Sequence, residues 1–160
     1  MIEFYHSYSN IIILSHIICA VIWLGSMIGY VVASYPSIKQ IPNEKLLVRT
    51  SIRTLKRLYQ MIIIISLVLG CTGLIMAVGA SYESKNPVLS TIINTKEILW
   101  VFMFVNVLIA YYKVLKAKKK CMASDAAGAR DNIRLISNYL IVINIFLGFV
   151  AAYFGMMLRN

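Results

Sequence analysis

The 160-residue chain is 60% hydrophobic and carries a formal net charge of +10 at pH 7, with a mean hydropathy of +0.78. A soluble domain of this length cannot hide that much apolar surface from water, so the composition specifies an integral membrane protein. Hydrolysis and phosphoryl transfer find no support, because the chain has no Ser/His/Asp set, no phosphate-binding loop and no paired catalytic carboxylates.

Charged residues are missing between Glu3 and Lys39, Arg57 and Glu83, Glu97 and Lys113, and Arg134 and Arg159. These windows predict helices over about Ile11–Ser34, Leu58–Gly79, Thr95–Tyr112 and Leu135–Leu158, each near the ~20 residues that cross a bilayer. The expected fold is all-α: a four-helix transmembrane bundle forming a single integral membrane domain over residues 1–160. Its third helix has to reach back through Lys96 and Glu97, which would snorkel to the interface. The N-terminus has no basic region and no clear cleavage site, so it reads as a retained helix rather than a secretion signal.

Charge asymmetry then orients the bundle. Thirteen of the sixteen Lys and Arg fall between Lys39 and Arg57 or between Lys113 and Arg134, which places both segments in the cytoplasm and both termini on the outer, periplasmic side. The positive charge follows from this topology and the anionic inner leaflet, and is not read as nucleic-acid binding. Within the first basic segment, Asn43 can cap an amphipathic run, NEKLLVRTSIRTLKRLY, that prolongs the second helix along the headgroups. Asp125 can begin an extension of the fourth. The outer loop SYESKNPVLS is too short for a catalytic domain. Cys19 and Cys71 lie inside helices and Cys121 in the reducing cytoplasm, so all three are expected as free thiols.

Function is sought on helix faces. At 100° per residue, His16, Cys19, Trp23, Met27 and Tyr30 share an arc of about 80° on the first helix, with Gly25 and Gly29 opposite. Gly25 and Gly29 form a GxxxG, a packing motif that would also suit a homodimer. Small-residue ladders recur at Ser66, Gly70, Gly73 and Ala77, and at Asn144, Gly148, Ala151 and Gly155. Asn106 and Asn144 fall near mid-membrane and are expected to hydrogen-bond each other.

His16 lies ~8 Å of helix rise inside the outer boundary, and Met76, Lys96, Trp100 and Met156 count to a similar depth. An imidazole, two thioethers, an indole and an ammonium at one level suit a haem: His16 as axial ligand, Met76 or Met156 as the second, Trp23 as a wall, Lys96 on a propionate. The same donors, with Cys19, suit cuprous ion. The bland reading is a His16 that hydrogen-bonds Ser15 or a neighbouring helix and methionines that only pack. His6, ~15 Å away on a continuous helix, cannot be the opposite ligand of the same haem. Glu3 and His6 read as a polar helix start.

His16 followed after six residues by Trp23, Leu24 and Gly25, together with Lys96 in NTKEILW, resembles the CopD-like and HemJ-type membrane families, in which a first-helix histidine leads into W-x-G. The likeness covers about a third of the chain. It implies a small multi-helix scaffold that binds haem b or handles copper. After Gly25 the chain lacks the arginine and second histidine of HemJ-type proteins, and its fourth helix has no N-E-x-P, which weighs against protoporphyrinogen oxidation.

The expected protein is a multi-pass protein of the bacterial inner membrane that binds one haem b. It would transfer electrons, or oxidise a membrane-soluble or porphyrin-like reductant, with a redox partner; an enzyme of this kind would be a membrane oxidoreductase. Copper transport is the alternative, and an accessory subunit of a larger membrane complex is a third.

Overall fold

The computed structural model describes the backbone of residues 2–83 and 87–157 and the side chains of residues 7–79 and 90–157. The Glu3 and His6 side chains, Lys85, Leu158 and most of the loop SYESKNPVLS therefore lie outside the described residues. The chain forms α1 (Ile2–Gly29), a π-helical turn π1 (Tyr30–Ser34), α2 (Tyr35–Lys39), α3 (Glu44–Glu83), α4 (Pro87–Met122), α5 (Ala126–Leu135), a second π-turn π2 (Ile136–Leu140) and α6 (Ile141–Met157). Among the described residues there is no strand.

These elements stack into four rods, Ser7–Lys39, Glu44–Gly79, Ser90–Met122 and Ala126–Met157, each long and apolar enough to cross a membrane. In lipid the backbone has no other donor or acceptor, so helices satisfy every peptide group internally. The expected four-helix, all-α architecture is therefore the observed one. Each rod has 32 to 36 residues, roughly 50 Å at 1.5 Å per residue, well beyond the expected spans. The excess lies largely at the basic end, where amphipathic segments continue the helices instead of breaking them.

Local chemistry sets the helix starts and bends. The Asn43 side chain accepts from the Leu46 N–H at 3.1 Å and begins α3. Asp125 accepts from the Gly128 N–H at 2.8 Å and begins α5. The turn between α4 and α5 is tight, with Ser124 at a φ of 63°. Pro36, at the start of α2, has no N–H to donate and would clash with the carbonyl four residues back. The chain answers with π1, in which the Tyr35 N–H bonds to the Tyr30 carbonyl, the wider spacing of a π-turn.

The packed core sits toward the basic half. Val48, Leu55, Tyr59 and Ile62 of α3 meet Val107, Ala110, Val114 and Ala117 of α4, all essentially buried, at the three- and four-residue spacing of one helix face. Trp23, Met27 and Tyr30 join them from the first rod, and Ala129, Ile133, Ile136 and Ile141 from the fourth. The opposite half is looser: residues 67–78, 90–102 and 145–157 contribute no buried side chain.

One expectation about packing is corrected. Asn106 and Asn144 do not pair: Asn106 Nδ2 donates to the Leu140 carbonyl at 3.2 Å, and neither amide atom of Asn144 has a protein partner. The carbonyl at the end of π2 is within reach and takes the donor first. Lys96 is half-buried, and its Nζ would lie 3.5 Å from a Cβ at Gly155, near the end of α6.

Candidate functional site at the loosely packed end

His16 leaves α1 toward α3. Its Nδ1 is 2.9 Å from Thr72 Oγ1, and Thr72 Oγ1 is also 2.9 Å from the Val68 carbonyl and 3.0 Å from the Leu69 carbonyl. With those helix carbonyls available to take its proton, the hydroxyl oxygen can accept from Nδ1–H. In that arrangement a neutral ring keeps its lone pair on Nε2. A side-chain anchor on one ring nitrogen is how a ligating histidine is oriented through the other. Of the two bland partners foreseen, it is the neighbouring helix and not Ser15 that binds the ring.

Gly73 is the reason the ring fits. A Cβ there would stand 3.3 Å from His16 Cε1, so the imidazole edge lies against bare backbone. On the other side of the bundle the Lys96 Nζ would stand 3.5 Å from a Cβ at Gly155, an ordinary contact. His16 with Thr72 and Gly73 thus joins the first rod to the second, and Lys96 with Gly155 the third to the fourth.

The other expected site residues divide. Met76 is half-buried and follows Thr72 by four residues, on the same face of α3. Met156 is 70% exposed and points off the bundle. Trp23 is 2% exposed, two turns from His16 toward the core, and its indole N–H has no protein acceptor. Trp100 lies a turn deeper than His16: its indole N–H donates to the Ser66 carbonyl at 3.2 Å, and its ring covers Gly70 and stacks on Phe104 at 5.4 Å. Cys19, Cys71 and Cys121 are free thiols. Gly25 and Gly29 are exposed, with no atom within 4 Å of an added Cβ, so neither takes part in packing within the chain.

Sequence reasoning missed Thr72. The signal was there, a hydroxyl beside a ladder glycine in an uncharged run, but only the register between α1 and α3 pairs it with His16. Among the described residues no three His, Cys, Asp or Glu side chains converge to enclose a metal ion. A porphyrin brings four nitrogens of its own and asks the protein for one or two axial ligands; a bare ion asks for the whole set.

The fold defines a polytopic α-helical membrane protein with one anchored histidine in its loosely packed half. No family model matches the chain, and no curated protein or solved structure matches it.

Proposed function

We propose that this is a haem-b-binding membrane protein in which His16 is an axial ligand. The anchored tautomer carries the reading: the Thr72 hydroxyl on Nδ1 presents Nε2 as a donor. Gly73 lets the imidazole edge lie against bare backbone, and the stretches 67–78, 90–102 and 145–157 on the other three rods contribute no buried side chain. Lys96 is the partner for an anionic propionate, and Met76, on the Thr72 face, is better placed than Met156 to approach as second ligand. Bound haem would supply one-electron chemistry. What the chain does is hold the ring upright, keep a cation nearby for the carboxylate, and screen the site from water with apolar helix.

In this reading the protein transfers electrons, or oxidises a membrane-soluble or porphyrin-like reductant, with a redox partner. In the same reading it lies in the bacterial inner membrane with both termini outside, an orientation supported by the basic segments at the opposite end.

The test is a visible spectrum, oxidised and dithionite-reduced, of the detergent-purified protein made with ample haem, beside His16→Ala. A Soret band with a reduced α-band, lost or shifted in His16→Ala, is expected. A colourless wild-type protein overturns the reading, and copper by elemental analysis without a Soret band replaces it with the copper one.

A further inference from the structure

At the basic end, the last turn of α2, the first turns of α3 and the stretch from α5 into π2 surround a cavity of about 650 Å³, within the range of roughly 300–1,000 Å³ typical of small-ligand sites. Five charged side chains line it: Lys39, Glu44, Arg130, Asp131 and Arg134. Two of them neutralise each other, since Arg130 Nη1 lies 3.5 Å from Glu44 Oε1 and ties α5 to α3 across the cavity. Among the described residues, Lys39, Asp131 and Arg134 have no opposite charge within ion-pair distance. Lys39 instead sits 4.4 Å over the Tyr35 ring.

The lining therefore offers two cations and one carboxylate without an ion-pair partner, beside apolar surface from Leu47. Lys39, Asp131 and Arg134 also lie within about one turn of the span ends expected at Ser34 and Leu135, the level at which phospholipid headgroups meet the hydrocarbon. A guanidinium and an ammonium suit a phosphodiester. The carboxylate beside them repels a simple anion but complements a primary ammonium. We infer that this cavity binds the headgroup of an aminophospholipid, with its phosphate at Lys39 and Arg134 and its ammonium at Asp131. The apolar wall and the position at the span ends select a lipid over a soluble phosphate ester. This site is separate from His16 and stands whether or not haem binds.

The full chain would be purified in detergent and exposed to mixed micelles of phosphatidylethanolamine, phosphatidylglycerol or phosphatidylcholine, and retained lipid counted by native mass spectrometry. Phosphatidylethanolamine is expected to be retained about fivefold over the other two, the scale of one partly exposed charge pair. Asp131→Asn is expected to abolish its preference over phosphatidylglycerol, and Lys39→Gln with Arg134→Gln to weaken retention of both. Glu97→Gln and Lys118→Gln, which change the same charges away from the cavity, are expected to change neither. Equal retention of the three lipids by the wild type overturns the inference, as does an unchanged preference in a folded Asp131→Asn protein. Displacement by soluble O-phosphoethanolamine at equal concentration overturns the assignment to a lipid.

Discussion

The Tyr30 and Ser137 hydroxyls lie 3.0 Å apart, buried, and join the two π-turns of the bundle. Each turn lies within a long rod, and single π-turns inside α-helices are frequent at functional sites. Tyr30 begins π1 and Ser137 lies second in π2, so the two irregular segments meet through their side chains 107 residues apart in sequence. Removing the contact measures its worth. Tyr30→Phe and Ser137→Ala are each expected to lower stability, with a coupling of about 0.6 kcal/mol in a double-mutant cycle, the usual size for such bonds between membrane helices. Unfolding in mixed micelles reads it; strictly additive single effects would show that the hydroxyls do not cooperate.

The Thr72 anchor makes a prediction that a packing histidine does not. Thr72→Val keeps the volume and removes the Nδ1 partner. In the haem reading it is expected to weaken haem retention about 10- to 100-fold and to shift the reduced spectrum while leaving the helical content unchanged. Identical spectra and retention in Thr72→Val would remove the anchor from the mechanism.

Glycines separate by what faces them. A Cβ at Gly70 would overlap the Trp100 ring, which is rigid and held by its bond to the Ser66 carbonyl, so Gly70→Ala is expected to destabilise by about 1–3 kcal/mol. Gly25 faces open space, and Gly25→Ala is expected to be stabilising, by up to about 1 kcal/mol, because alanine loses less backbone entropy in a helix. Thermal melts of the two variants in one detergent decide; a stabilised Gly70→Ala would contradict the packing described.

Asp125 gives the basic end a pH dependence. Its carboxyl is held below the ordinary carboxylate range, first by the Gly128 N–H it caps and then by Lys120, whose Nζ stands 3.4 Å away. A depressed folded-state pKa means that the contribution is present above the ordinary aspartate range and is lost as pH falls through the folded value. Hydrogen exchange at the Gly128 amide is therefore expected to accelerate, relative to the intrinsic rate, as pH drops below about 4, and to be fast at all pH values in Asp125→Ala. An unchanged protection factor across that interval would show that the cap does not hold α5.

The amino-acid sequence by itself determined the class of structure. Four uncharged windows, flanked by clustered cations, leave the chain no stable form in lipid except spanning helices, because every peptide group there must bond within its own segment. Asn43 and Asp125 were likewise legible as helix starts, since a cap is a local interaction within three residues. His16 stood out because an ionisable side chain is costly at that depth. Its partner did not, for nothing in the chain around Thr72 announces that α1 and α3 pair in the register that brings them to 2.9 Å. The same holds for Asn106, whose obvious partner in sequence was another asparagine and whose actual acceptor is a backbone carbonyl at a π-turn. Periodicity assigns a residue to a face of its own helix; which neighbour that face meets, and at what height, is settled by side-chain packing between helices, where one residue of register or one π-turn re-aims the whole face. That decision belongs to the tertiary structure alone.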